Sequence, residues 1–315
     1  MGLDRPGGPV PPRSGDGLHG GPFSTGETHM RIRATVAVVS GALALSALTG
    51  AAAQAAPGPD RERIQVPTAE SVFGKQATAK GKGFKAAAVP KISKVTVNGG
   101  KDIVLGTTKA KTFSVSITAS HASNIGDAYA YFWHGSTYET ADGVFIPNEE
   151  YASCKASSTT TSTCKLTFTV DPQWELINDL AGSWNVGVGA LAADDSDFAW
   201  NDKHSKTRVQ RYSKLVVNAT PEPVKKGKTL TVNGTLSRAN WDTWKYAGYT
   251  QQSVKLQFKK KGAASYTTVK TVKSGSKGAL KTTVKAASDG YWRWSFAGTS
   301  TTPAINSTAD FVDVK

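Results

Sequence analysis

The sequence predicts an all-β protein of two tandem β-sandwiches behind an export signal and a spacer. Three observations carry that expectation. Apolar residues recur with period two in short runs from Lys91 onward, and helix-period patterns are nearly absent. Gly, Asn and Asp punctuate those runs as turns between strands would require. The charge also shifts along the chain: residues 90–214 hold 12 Lys and Arg against 13 Asp and Glu, whereas residues 215–315 hold 16 against 5. A net −1 followed by +11 marks two units with different surfaces and points to an anionic partner for the second. The plain alternative is a cationic surface that only keeps the protein soluble.

The N-terminal part is read first. Residues 30–55 look like a signal peptide: Arg31 and Arg33 precede an apolar stretch over 35–48, and Ala53-Gln54-Ala55 offers the small residues of a cleavage site. The apolar stretch is shorter than the roughly 20 residues a spanning helix needs, so the mature chain is expected to begin near Ala56 with no transmembrane segment. Residues 1–29, rich in Gly and Pro, read as a mis-assigned start ahead of Met30 or as a disordered extension. Residues 56–89 show no sustained period and read as a flexible or partly ordered spacer.

Residues 90–212 form the first expected sandwich. ISKVTVN (92–98) alternates and ends in a turn at Asn98-Gly99-Gly100 before DIVL (102–105). TFSVSITA (112–119) puts Phe113, Val115 and Ile117 on one face and Ser114, Ser116 and Thr118 on the other. The runs 127–134, 165–170, 183–191 and 207–212 continue the pattern, about seven strands in all. Asp171 as N-cap with Pro172 after it predicts a short helical turn between strands. Cys154 and Cys164 are the two cysteines, and an even count in an exported protein favours a disulfide across a polar loop without structure of its own. Such a loop would contribute about 3 kcal/mol in the chain-entropy model.

Residues 213–315 form the second. SKLVVNA (213–219) leads through Pro221-Glu222-Pro223 to a strand in which Leu230 and Val232 alternate with Thr229 and Thr231. SVKLQFKK (253–260) turns Val254, Leu256 and Phe258 inward, ALKTTVK (279–285) does the same with Leu280 and Val284, and GYWRWSF (290–296) with Trp292, Trp294 and Phe296. Its basic hairpin, its GYWRW strand and the closing ADFVDVK resemble an immunoglobulin-like domain of secreted actinobacterial proteins of the Streptomyces type. The resemblance covers residues 213–315 and implies an extracellular immunoglobulin-like β-sandwich without an established activity. Some relatives carry a calcium-binding label, which it implies as an expectation only. The first unit is similar in architecture and less specific in its residues.

No motif announces catalysis. There is no G-x-S-x-G elbow and no H-E-x-x-H pair, and His121, His134 and His204 are isolated in sequence. Glu149 and Glu150 could pair with Glu139 or Asp142 as glycosidase-type carboxylates, although solvated turns hold such residues as readily. The expectation is a non-catalytic protein, with a secreted hydrolase of unrecognised type as the alternative.

Three candidate binding features remain. Asp194, Asp195, Asp197 and Asp202 crowd one expected loop, as hard oxygen ligands for Ca²⁺ would, with backbone carbonyls and Asp127 or Asp142 to complete the shell. Trp241, Trp244, Tyr246 and Tyr249 could stack sugar rings between Arg238 and Lys245, or could simply cover the end of the sandwich. Lys255, Lys259, Lys281 and Lys285 fall on outward strand positions, a surface that attracts anionic polymers or cell-wall glycans without sequence-specific nucleic-acid recognition.

Overall fold

In the computed structural model, residues 64–74 and 89–315 are described. Residues 1–29, the expected signal peptide over 30–55 and the rest of the expected spacer lie outside the described residues.

The first sandwich has nine strands. Its four-stranded sheet runs β1 (Lys91–Val97), β3 (Lys111–Ser120), β7 (Thr161–Val170), β6 (Ser153–Ala156). Its five-stranded sheet runs β2 (Ile103–Leu105), β9 (Phe198–Arg211), β8 (Gly182–Ala192), β4 (Ile125–His134), β5 (Gly143–Phe145). Neighbours pair antiparallel except β2, which lies parallel to β9. In chain order these strands take positions A, A′, B, C, C′, D, E, F and G of an immunoglobulin-like sandwich. The alternation expected for β3 holds, with Phe113, Val115 and Ile117 buried beside Phe168 of the neighbouring β7 and in one core with Val186 and Val188 of the other sheet. A register shift at Ile92/Lys94 in β1 accounts for the change of phase between Ile92 and Val95 in the sequence.

Two expectations need correction here. The segment between the cysteines is not an unstructured loop. Cys154 and Cys164 sit directly opposite each other in the β6–β7 hairpin and form the disulfide, and the Thr-rich run from Thr161 belongs to β7. The 194–202 segment is not one loop either, because β9 begins at Phe198. Asp171 does cap a single turn, its Oδ1 accepting from the Gln173 N–H at 2.9 Å.

The second sandwich packs β10 (Ser213–Thr220), β11 (Thr229–Asn240) and β15 (Ala279–Lys285) against β14 (Thr267–Lys273), β13 (Ser253–Lys260) and β16 (Gly290–Phe296). β12 (Lys245–Gly248) extends the first of these sheets, and β17 (Ile305–Asn306) and β18 (Asp310–Val312) the second. Val254, Leu256, Trp292, Trp294 and Phe296 fill its centre, on the faces that the alternation assigns.

Only Tyr212 separates β9 from β10, and the two sandwiches share a buried junction. Trp241, at the end of β11, belongs to the core of the first sandwich and donates from Nε1 to the Gly106 carbonyl at 2.8 Å. Arg211 donates from Nε to the Ala239 carbonyl, and Gln210 from Nε2 to the Thr299 carbonyl. Asn178 accepts from the Trp241 N–H and donates to Asn240 and Asp242.

Within the span read as a spacer, residues 64–74 carry a one-turn helix, α1 (Ala69–Phe73), capped by Thr68. Phe73 is buried edge-on against Trp200 at 5.8 Å, and the Tyr138 hydroxyl donates to the Pro67 carbonyl at 2.5 Å.

Candidate functional site

Charge and strand geometry together single out the outer face of the β14–β13–β16–β18 sheet. On β13 and β16 the outward pairs are Lys255 with Ser295, Gln257 with Arg293, and Lys259 with Tyr291, and β18 adds Phe311 beside Tyr291. Because a pleated strand sends alternate side chains to opposite faces, these residues share one surface while Trp292 and Trp294 fill the core.

Cations and rings interleave on that face. The Arg293 guanidinium lies 3.8 Å from the Tyr266 ring centre and donates from Nε to Gln257 Oε1 at 2.8 Å. The Lys259 ammonium lies 5.3 Å from the Tyr266 ring and 5.1 Å from the Tyr291 ring. Tyr291 and Phe311 are in contact at 5.1 Å, with the Lys261 ammonium 5.6 Å from Phe311. Lys261 also approaches Asp289 at 3.6 Å. Rings beneath ammonium and guanidinium groups hold the cations in place and leave their outer sides free for an anion.

Lys281 and Lys285 are exposed as expected, but β15 belongs to the opposite sheet. The four lysines therefore form two pairs on opposite sides of the sandwich and do not make one face. Lys285 contacts Thr229 Oγ1 there at 3.4 Å. The expected surface, with Lys260, Lys261, Lys270 and Lys273 at hairpin ends, lacked Tyr266, Tyr291, Arg293 and Phe311, although the alternation in 290–296 already put Tyr291 and Arg293 on the side away from the core.

The aromatic segment does not form one platform. Trp241 is 0% exposed inside the junction, so no face of its ring is open to a sugar. Tyr246 packs toward the first sandwich beneath the Lys214 ammonium, while Tyr249 packs toward the second core beneath Arg238. Trp244, at 47% exposure, is the open member of the four. Arg238 is drawn into the junction as well, and burial holds its pKa below the usual value.

The acidic residues are also dispersed. Asp194 accepts from the Ser196 hydroxyl and N–H, and these bonds, with one from Ser123, lower its pKa to about 2. Asp195 is exposed in the turn, and Asp197 accepts from the Phe198 N–H. Asp202 lies in β9, where its Oδ1 accepts from Tyr131 at 2.5 Å and Trp200 at 2.7 Å. Asp127 accepts the Ala128 and Ala152 N–H groups, and burial pushes its pKa up. Asp142 pairs with His134 at 2.6 Å. Among the described residues no three His, Cys, Asp or Glu side chains converge as a metal shell. The Asp194, Asp195, Asp197 and Asp202 carboxylates are therefore not gathered as one group.

Nor do the carboxylates considered for glycoside hydrolysis meet. Glu149 grips β7, accepting from the Thr167 N–H at 2.7 Å and hydroxyl at 2.5 Å. Burial works against its charge, yet those bonds hold its pKa below the ordinary range. Asp142 stands on the other sheet's edge with His134. That pair has the form of a base and its orienting acid, but no hydroxyl bonds to the other His134 nitrogen among the described residues. His121 bonds Ser123, and the Nδ1 of His204 is buried without a partner.

No family model and no curated protein matches the sequence. Among solved structures, the chain is similar to the fibronectin(III)-like modules of Clostridium thermocellum CbhA at 12% identity, over 70% of this chain and 93% of that one, with a TM-score of 0.31. The D00–D0 domain of Intimin matches at 12% identity over 70% and 99%, with a TM-score of 0.25. Dimeric latent PorU from Porphyromonas gingivalis also matches at 12%, over 72% of this chain, with a TM-score of 0.25, and this chain spans 20% of its length. Likeness this distant carries no argument about activity. The immunoglobulin-like assignment rests on the strand order itself.

Proposed function

We propose that this protein is an exported, non-catalytic binding protein that associates with anionic polymers of the cell envelope or matrix through the outer face of its second sandwich. The observation that carries the reading is the array of Lys259, Lys261 and Arg293 over Tyr266, Tyr291 and Phe311, with Lys255 on the same outward side of β13. It lies in a unit whose sequence balance is +11. A formed disulfide fits an oxidising compartment, as does the export signal at residues 30–55. Acidic glycans and teichoic-type polyphosphates fit the face, since rings accept sugar or polyol stems while the cations meet the charges. Nothing about such a flat face selects a base sequence.

The test is binding of the chain from Ala56 onward to teichoic acid, heparin-like glycan and duplex DNA over a salt series. Binding should weaken steeply with salt, because each neutralised charge releases counterions. Lys255→Glu with Lys259→Glu and Lys261→Glu should lower affinity at least tenfold, and Lys281→Glu with Lys285→Glu far less. Equal losses from the two sets would mean that net charge alone binds, and the face would lose its role. No binding at low salt would end the reading.

A further inference from the structure

We propose that a cavity on the outer face of the first sandwich binds a single phosphate-bearing polyol or sugar unit. It is independent of the basic face above, being in the other sandwich. The cavity, of about 340 Å³, is lined by Ser136, Ser183, Asn185, Lys203, Ser205 and Lys206. That is the lower end of the size range of small-molecule sites. No carboxylate lines it.

Four of the lining side chains lack protein partners for their polar groups. Asn185 is only 8% exposed, yet its amide bonds no protein atom, and neither do the Ser183 and Ser205 hydroxyls or the Lys206 ammonium. The Asn185 amide opens onto the cavity, because the buried side-chain polar atom left without a partner among the described residues is His204 Nδ1. A polar occupant would meet groups that otherwise face solvent.

The lining is built and held by a bulge. Opposite Val186 and Val188, β9 pairs through Ser205 and Asn201, so Asp202, Lys203 and His204 stand opposite Gly187 alone, two residues more than a regular ladder holds. Bulges of this kind re-aim side chains. This one is clamped: the Tyr131 hydroxyl and Trp200 indole donate to the Asp202 carboxylate, and the Trp133 indole donates to its backbone carbonyl at 2.8 Å. Gly187 is required for the arrangement, because a Cβ there would overlap the Tyr131 ring. The clamp sets the Lys203 ammonium 5.1 Å from the Trp133 ring and 3.5 Å from the Ser136 carbonyl.

The donor set selects the chemistry. Two ammonium groups act as point charges, which suits a phosphate, whereas a planar carboxylate is best met by the paired donors of arginine. No arginine lines the cavity. Three hydroxyls and an amide, each able to donate and accept, match the hydroxyls of a polyol.

The test uses glycerol 3-phosphate, inorganic phosphate, glycerol and glucuronate in calorimetric titration of the chain from Ala56 onward at moderate salt. Glycerol 3-phosphate should bind, phosphate several-fold more weakly, and glycerol and glucuronate not measurably. Lys203→Ala with Lys206→Ala should weaken binding at least tenfold, as should Asn185→Ala. Ser183→Ala should weaken it several-fold while leaving the melting temperature unchanged, so that loss of ligand is separated from loss of fold. Lys255→Glu with Lys259→Glu should leave it intact, which separates this site from polymer attachment. Absence of heat at millimolar glycerol 3-phosphate, binding that survives the double lysine variant, or equal binding of glucuronate would each overturn the assignment.

Discussion

The indole N–H of Trp241 bonds the carbonyl of Gly106 at 2.8 Å, across 135 positions of chain. A side chain of the second sandwich thereby closes the core of the first. Trp241→Ala should destabilise the protein by about 3–5 kcal/mol, the usual cost of emptying such a site. It should also split one denaturant transition into two, read by circular dichroism and tryptophan fluorescence. Trp241→Phe, which keeps most of the packing but loses the bond, should cost about 1 kcal/mol beyond the lost volume. A wild-type midpoint for Trp241→Ala would show that the junction does not couple the sandwiches.

The Cys154–Cys164 bridge joins two adjacent strands of one sheet, and apolar residues occupy the space between the sheets. Thiol labelling of the denatured, unreduced protein should find no free thiol. Replacing both cysteines by Ser should cost about 2–3 kcal/mol in the first sandwich. Two labelled thiols in exported protein would contradict the bridge.

Alkaline pH should unfold the protein through the half-buried Tyr129 and the buried Tyr131. Burial raises the Tyr129 pKa from 10.0 to about 12, and Tyr131 is raised as well, by burial and then by its bond to Asp202. A folded-state pKa above the unfolded value means that this stability is complete below pH 10 and is lost as pH rises toward 12. Tyrosinate absorbance should therefore show groups that ionise only with unfolding, and Tyr129→Phe should reduce their number. Ionisation of every tyrosine near pH 10 in the folded protein would refute the shift.

Phe73 anchors residues 64–74 to the first sandwich through Phe198 and Trp200. Phe73→Ala should release the segment, seen as faster proteolysis within 64–74 and a red-shifted Trp200 emission. The melting temperature should fall by only a few degrees, because the anchor lies outside the sandwich core. Unchanged cleavage would mean that the Tyr138 bond alone holds the segment.

Much of the second sandwich was legible, because β13, β15 and β16 alternate cleanly over seven or eight residues. The strands that escaped notice are short or irregular. β5 has three residues and β17 two, and β14 changes phase where a bulge at Leu256/Gln257 shifts its register. In β9 the density of Asp hid the alternation of Phe198 and Trp200. The site shows the same division. Alternation tells which side of a strand a lysine takes, but not which sheet the strand joins. Alternation thus assigns both Lys255 and Lys281 to outward positions, and the topology sets them on opposite sheets facing away from each other. The burial of Trp241 required the junction, a contact between distant segments that no local pattern encodes.

The parallel pairing of β2 with β9 sets an order of assembly. Ile103 can meet Val209 only after the whole first sandwich has been synthesised, and the Gly106 carbonyl waits longer still for Trp241. Long-range pairing of this kind folds slowly, since loop closure must precede the contacts that reward it. A chain arrested before residue 241 should hold an unfinished sandwich with an open end. The first domain to be made thus closes only once the second has begun to emerge.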